Sequence, residues 1–230
     1  MNSSSALQIL LHLSDSSLPV GRFAHSFGLE PLAMEGLIEG EEELLEYLIT
    51  NLRDCFAPLD GVAVSWSYRH FSEGNFRALH DLDNLVTCRK IIPSTRLASK
   101  YCGRELIRIL SEISISMELN SFTDQISRQK KGGNLSVVIG AASAAAGIGI
   151  RECVVMEMRS AVSSLLSAAV RLGLLSALSA QRLLWQSAGI IEEAAEISLG
   201  LDQEAMATWF PDADAYSLRH RFAFGRNFGS

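Results

Sequence analysis

The chain has 230 residues, of which 48% are apolar and 20% charged, and its mean hydropathy is +0.18. This apolar content supports a sizeable core and excludes a disordered chain. Lysine and arginine total 20 against 26 acidic residues, so the net charge is −6 and the isoelectric point is near 5.4. These values argue against nucleic acid as a partner, because proteins that bind the phosphate backbone carry a basic surface.

The cysteines and the N-terminus point to a reducing compartment. Cys55, Cys88, Cys102 and Cys153 lie far apart without a C-x-x-C pair, so they match neither a zinc site nor a disulfide framework. The first five residues lack the positively charged start of a secretory signal. We therefore expect a cytoplasmic protein with free thiols.

Apolar residues recur at helical spacing along nearly the whole chain. One predicted helix begins at the three glutamates 41–43 and ends before a break at Pro58 to Gly61. Others begin at Phe76, at Pro93 (running to about Glu118), near 151 and near 179, the last two running to 173 and 200. Strand alternation is nearly absent, so we predict an all-α fold with a single globular domain of about eight to eleven helices.

Residues 132–150 carry no charge and could be mistaken for a membrane span. Their middle is rich in Ala, Gly and Ser, whereas membrane insertion depends on Leu, Ile, Phe and Val. Gly140 and Ala144 share one helix face, which allows a second helix to approach closely. We therefore predict that this helix and the one from 151 to 173 lie buried at the centre of the domain, with no membrane contact.

Residues 13–30, LSDSSLPVGRFAHSFGLE, predict an ordered turn between two helices. Pro19 favours extended backbone at the residue before it, and Gly21 permits positive φ. We expect the second helix to begin near Ala24, which would place Ser26 and Glu30 on one face at i, i+4. An internal turn with no further role remains the alternative.

Evidence for catalysis is sparse in this sequence. There is no phosphate-binding loop, no H-E-x-x-H motif and no G-x-S-x-G elbow, and the five histidines are scattered. Ser14, Asp15, Ser16 and His25 are residue types of a hydrolase triad, although adjacent Ser and Asp residues first indicate a helix end. A helical hydrolase or metal enzyme centred on His25 is the alternative function from another class. A small-residue-rich membrane adaptor is a third.

The last twelve residues, 219–230, contain three arginines, three phenylalanines and no acid. Aromatic residues and arginine are enriched in interface hot spots, so this composition favours a partner-docking tail over a frayed terminus. We assign 1–218 to the helical domain and 219–230 to the tail. We expect the tail to be mobile in the isolated protein and to become ordered on a partner.

Residues 15–30 closely resemble the D-S-x-x-P-x-G-x-F-A-H-S-x-G-L-E signature of the UreF family of urease accessory proteins. Further segments are similar to that family over nearly the whole chain. They are R-L-A-S at 96–99 with G-R at 103–104, V-V-I-G at 137–140 with the Ala run that follows, S-S-L-L-S-A-A-V-R at 163–171, and the C-terminal R-H at 219–220 with Arg226, Phe228 and Ser230. Three positions depart from the family pattern, namely Arg22 (commonly Gly), Asn134 with Leu135 (usually His), and Arg221 (Glu).

The resemblance implies an all-helical, non-catalytic protein that binds UreD (also called UreH), recruits the GTPase UreG and engages apo-urease for nickel insertion. It implies no cofactor of its own, because nickel and GTP belong to the partners, and it suggests a homodimer. The residues that match the family motifs are Asp15, Pro19, Gly21, Phe23, His25, Ser26, Gly28, Glu30, Arg96, Ser99, Gly103, Arg171, Arg219, His220, Phe222, Arg226, Phe228 and Ser230.

Overall fold

The structure is a computed structural model that describes residues 3–129, 132–220 and 228. The described chain contains α-helices and short 3₁₀ turns but no strand, which confirms the all-α prediction. The α-helices are α1 (Ser3–Ser14), α2 (Leu29–Met34), α3 (Glu41–Asn51), α4 (Val62–Ser72), α5 (Phe76–Arg89), α6 (Pro93–Ile113), α7 (Met117–Gln129), α8 (Leu135–Ala145), α9 (Ile150–Arg171), α10 (Ala177–Gln186), α11 (Ala188–Gly200) and α12 (Pro211–His220).

The predicted break at Pro58 to Gly61 is wrong. Residues Leu52–Gly61 form a π-helix, here called the π-segment, which joins α3 to α4 without interruption. Pro58 lies inside it, although proline removes a backbone donor and normally ends or kinks an α-helix. The wider π-helical turn accommodates the proline ring, so the chain runs helically from Glu41 to Ser72.

Neighbouring segments satisfy carbonyl groups of the π-segment. The backbone N–H of Trp209 donates to the carbonyl of Asp54 at 3.0 Å, and that of Ala207 donates to the carbonyl of Pro58 at 3.3 Å. The Ser198 hydroxyl donates to the Ala57 carbonyl at 3.0 Å. The π-segment is thus bonded to α11 and to the loop before α12, which compensates for the irregular helical ladder.

Two further predicted boundaries also differ from the structure. The helix expected from Pro93 to about Glu118 ends at Ile113, because Ser114 adopts a left-handed conformation with φ of 48°. The helix expected over 179–200 is divided at Ser187 into α10 and α11. With α3, the π-segment and α4 joined, the described residues contain eleven continuous helices, within the predicted range.

The small-residue helices lie at the centre, as predicted. α8 is buried along nearly its whole length and packs mainly on α4, with α9 as a further neighbour. A β-carbon built on Gly140 would lie 2.4 Å from the carbonyl oxygen of Val64, so only glycine fits this contact. The Ser67 hydroxyl, one turn further along α4, donates to the Val137 carbonyl at 2.5 Å.

In the described part of the chain, one helix is long and apolar enough to cross a membrane, judged by length and composition alone. It is α9, and 67% of its most apolar window is buried inside the protein. Its apolar residues, including Val154, Met158 and Leu165, belong to the domain core. The composition of α9 is therefore explained by packing.

Candidate functional site

The N-terminal motif, residues 13–30, folds as a chain of tight turns rather than as the start of a helix. Asp15 Oδ1 accepts a hydrogen bond from the Ser17 N–H at 2.7 Å, which closes the turn after α1. Gly21 has φ of 79° and precedes a 3₁₀ turn, Arg22–Ala24. Phe27 and Gly28 follow with φ of 53° and 89°. The helix predicted near Ala24 is therefore wrong, because two successive left-handed residues delay α2 until Leu29.

Arg22 fixes this motif to the central helix α9. Its guanidinium forms a bidentate ion pair with Glu157, with N–O distances of 2.7 and 2.8 Å. The two side chains are only 10% and 3% exposed. Burial alone would lower the pKa of Arg22, but the adjacent Glu157 carboxylate raises it, so the guanidinium stays charged. Arg22 stands where the family usually has glycine, and it therefore has a structural role in holding the motif to α9.

Two further contacts hold the motif's backbone. Arg171, at the end of α9, donates from Nη2 to the Phe23 carbonyl. The Tyr47 hydroxyl of α3 donates to the Phe27 carbonyl at 2.6 Å. The Phe27 ring also packs edge-on against Phe56 of the π-segment, with centroids 5.3 Å apart. Three separate elements thus determine the shape of the motif.

The matched residues of the motif divide into a buried and an exposed set. Ser26, Gly28 and Glu30 are buried, whereas Asp15 and Pro19 are exposed. His25 is half-buried, and desolvation lowers its pKa below the usual 6.5. The buried residues support the turn from inside the domain, so the surface available to a partner consists of Pro19, Gly21 and the residues from Phe23 to His25, whereas Val20 and Arg22 are buried.

The mid-chain matches lie in α6. Arg96 donates to the carbonyl oxygens of Lys90 and Ile91, at 2.9 and 3.3 Å, and so closes the α5–α6 connection. The Ser99 hydroxyl accepts from the Leu135 N–H at 3.3 Å. A β-carbon on Gly103 would lie 1.9 Å from the Gly133 carbonyl oxygen. Arg96 therefore orders the start of α6, whereas Ser99 and Gly103 hold α6 against the start of α8.

Large apolar side chains of α6 are exposed beside the motif. Leu97 is 68% and Tyr101 56% exposed, and they follow each other at i, i+4. A β-carbon at Gly21 would lie 2.9 Å from Cε1 of Tyr101, so the ring rests directly on the motif. Motif and helix therefore present one continuous surface.

Asn134, the second departure from the family pattern, is fully buried. Its backbone N–H donates to Asp83 Oδ1 at 2.8 Å, and its side-chain Nδ2 donates to Asp83 and to the Thr87 hydroxyl. The Gly133 N–H donates to the other Asp83 oxygen at 3.0 Å. Asn134 thus orders the turn into α8, and its surroundings offer no exposed ligand set.

The C-terminal matches are described only in part. Phe228 is 5% exposed, and its ring lies under the Arg171 guanidinium carbon at 4.2 Å. The backbone of Arg219 and His220 ends α12, which crosses the domain boundary expected at 218. Phe222, Arg226 and Ser230, together with Arg221, lie outside the described residues. The tail assignment and its ordering on a partner stay predictions.

The residues proposed for a hydrolase triad have local structural roles. The Ser14 hydroxyl donates to the Leu11 carbonyl at 3.0 Å, and Asp15 caps its own turn. Among the described residues, no group of three or more His, Cys, Asp or Glu side chains is placed to hold a metal ion.

Sequence reasoning did not find the partners of the motif. Glu157 and Tyr47 lie 135 and 20 positions from the motif residues they contact. Lys90 and Asp60 form a second inward ion pair at 2.7 and 2.9 Å. One signal in the sequence could have indicated a buried ion pair. Glu157 is a charged residue within an otherwise apolar stretch, V-V-M-E-M, of a helix predicted to be buried.

Comparison with known proteins identifies the family. The family model described as UreF matches residues 38–188. The urease accessory protein UreF of Trichodesmium erythraeum (strain IMS101) is 30% identical over 216 residues, covering 92% of this chain and 91% of that protein. The UreF of Haemophilus influenzae (strain Rd) is 27% identical, covering 96% and 94%. UreF 2 of Brucella canis is 28% identical, covering 92% and 86%.

The family-model match begins after the motif and covers α3 to α10, which is more than half of the chain. The chain belongs to the UreF family of urease accessory proteins, which are non-catalytic, and it is not an enzyme.

Proposed function

We propose that the chain is a cytoplasmic scaffold for nickel insertion into apo-urease, which binds UreD and through it recruits and regulates the GTPase UreG. The observation that supports this best is the motif surface. A backbone held by Arg22, Arg171 and Tyr47 is continuous with the exposed side chains of Leu97 and Tyr101. A surface that is rigid and partly apolar suits a partner, because little entropy is lost on binding.

The test is assembly with UreD and UreG from the same organism. Leu97→Asp/Tyr101→Asp should abolish capture of UreD, and of UreG with it, because the charges would be desolvated in the interface. Met117→Asp is the matched control, since Met117 is 82% exposed on α7. If the double variant folds and assembles as the wild type does, the motif surface is not the binding site.

Regulation of the GTPase has its own readout. Nickel-dependent GTP hydrolysis by UreG should change when the complete chain and UreD are added, and it should not change with the Leu97→Asp/Tyr101→Asp variant. Urease activation in cells should follow the same order. An unchanged hydrolysis rate with the wild-type chain would contradict the regulatory part of the proposal.

The proposed homodimer has an available apolar face. Leu178 and Trp185 of α10 are 82% and 85% exposed and lie seven positions apart, on one side of the helix. Exposed aromatic residues of this size are typical interface anchors. Sedimentation of a Trp185→Asp variant should give a monomer, and an unchanged dimer would exclude this face.

A further inference from the structure

A cleft lies between the π-segment and the start of α12, and here it is called the π–α12 cleft. It encloses about 80 Å³, several times the space that one water molecule needs. Its apolar wall includes three phenylalanines, and its polar lining includes residues from the π-segment, α3 and α12. Among these residues are Phe27, Phe56, Phe210, Asn51, Cys55 and Asp214.

The charges in this cleft do not balance. Lys90 also lines the cleft, but both oxygens of Asp60 accept from its ammonium group at 2.7 and 2.9 Å, so this pair is neutral. Asp214 has no ion-pair partner among the described residues. Burial raises its pKa above the usual 3.8, which is the cost of a carboxylate without a counter-charge.

The other titratable groups that face Asp214 do not supply a positive charge. Burial raises the pKa of the Cys55 thiol to about 12, and burial also raises the pKa of the Tyr47 hydroxyl. Both groups are therefore neutral at physiological pH. Among the described residues, a ligand that enters the cleft with a positive charge would meet one carboxylate without an ion-pair partner, and the lining cation Lys90 is already paired with Asp60.

The apolar wall suits a planar cation. Phe27 and Phe56 pack edge-on at 5.3 Å, and Phe210 packs against Tyr47 at 5.5 Å, so the rings are fixed in place. A guanidinium group stacks on aromatic faces and bonds a carboxylate through two N–H donors. Lysine offers a point charge without either planar contact.

We propose that the π–α12 cleft is an anchor pocket for an arginine side chain carried by a basic segment of a partner protein. The guanidinium pairs with Asp214 and stacks on the phenylalanine wall. The side chain of Asn51, a residue only 5% exposed, lines the same cleft, and its amide group would donate to a backbone carbonyl of the same segment. The inference concerns a second surface and does not require that the partner be UreD.

The partner, rather than this chain, is the expected source of the arginine. The first sixty residues, which include nearly all of the π-segment, carry ten acidic and two basic side chains. Glu30 is buried and Glu41 and Asp60 are paired, so seven acids in this part of the chain remain to attract a basic segment. The chain's own tail also contains Arg221 and Arg226. Occupation by the tail is the rival outcome that the experiment distinguishes.

The experiment is a titration of the isotope-labelled full chain with N-acetyl-arginine methylamide, followed by NMR. Saturable shifts at Asn51 and Phe210 are expected. The citrulline analogue, which has the same shape without the charge, should bind about tenfold more weakly, as expected for loss of a charged hydrogen bond. Asp214→Asn should lower arginine binding by a similar factor, whereas the control Asp202→Asn, at an exposed aspartate, should not.

Each contrary result has a distinct meaning. Equal binding of the arginine and citrulline analogues, or full binding by Asp214→Asn, overturns the anchor pocket. Binding that appears only in an Arg221→Gln/Arg226→Gln variant shows that the tail is the occupant and overturns the partner assignment. If the arginine analogue binds as expected while the chain captures neither UreD nor UreG, the proposed function fails and the anchor pocket stands.

Discussion

Arg22 and Glu157 lie 135 positions apart in the sequence and meet as a buried, bidentate ion pair with both N–O distances below 3 Å. Arg22 belongs to the N-terminal motif and Glu157 to α9, whose apolar residues belong to the domain core. Through this pair, the position of the motif depends directly on the core. A substitution at either residue should therefore affect both stability and partner binding.

The first prediction concerns this pair. Glu157→Gln should lower the free energy of unfolding by about 3–5 kcal/mol, because it leaves a buried guanidinium without its counter-charge. Arg182→Ala removes an exposed ion pair with Glu41 and should cost no more than about 1 kcal/mol. Urea denaturation of both variants measures the difference. Equal costs would show that the Arg22–Glu157 pair is hydrated in solution.

The second prediction concerns the contact between α8 and α4. Gly140→Ala places a β-carbon 2.4 Å from the Val64 carbonyl oxygen, so the helices must separate, at a cost of about 1–3 kcal/mol. Gly140→Leu should cost at least as much. Gly189→Ala is the control, since no atom would lie within 4 Å of its β-carbon and alanine favours helix. Thermal unfolding should separate the two substitutions, and a stable Gly140→Leu protein would refute the close contact.

The third prediction is a pH dependence that arises from His25. Burial lowers the pKa of His25 in the folded state, so the unfolded chain binds the proton more readily. The contribution of neutral His25 to the free energy of unfolding is therefore complete above about pH 6.5, and it is lost as the pH falls toward the folded-state pKa. Unfolding free energies measured from pH 7.5 to 5 should therefore fall less steeply for His25→Asn than for the wild type. Parallel slopes would contradict the prediction.

The fourth prediction concerns Asp214. Its pKa is raised in the folded state, so its effect on stability changes with pH in the direction opposite to that of His25. Ionisation of a carboxyl group with a raised folded-state pKa destabilises the protein as the pH rises through that pKa. Asp214→Asn should therefore raise the free energy of unfolding at pH 7, and the gain should disappear in acid. A variant that is less stable at pH 7 would show that the carboxylate already has a counter-charge.

The fifth prediction concerns function in cells. At matched levels of soluble protein, His25→Ala and Phe228→Ala should reduce urease activation, because the first alters the motif surface and the second removes the ring beneath Arg171. Ala177→Ser, at an exposed position of α10, serves as the control. Full activation by both well-folded variants would show that neither the motif nor the C-terminal segment contacts a partner.

The sequence predicted the features that depend on local chemistry. The predicted starts of α3 at Glu41 and of α5 at Phe76 are confirmed, and in the structure the Asn75 side chain caps α5 by accepting from the Ala78 N–H at 3.1 Å. Pro58 was misleading because its missing donor is compensated by a loop some 150 positions away. The partners of Arg22 and Asn134 were likewise inaccessible, since charge pairing across the fold leaves no periodic signal.

The π-segment has a consequence for how the family tolerates changes in length. A π-helical stretch contains more residues per turn than an α-helix, so reversion of Leu52–Gly61 to α-helix would absorb the deletion of a single residue there. The face of α4 that receives Gly140 would keep its direction. A deletion within α3 has no such reserve and would rotate everything that follows by about 100°. The π-segment is therefore where this long helix should tolerate the loss of a residue, although not a side chain at Gly61, whose β-carbon would lie 2.0 Å from the Ser198 hydroxyl oxygen.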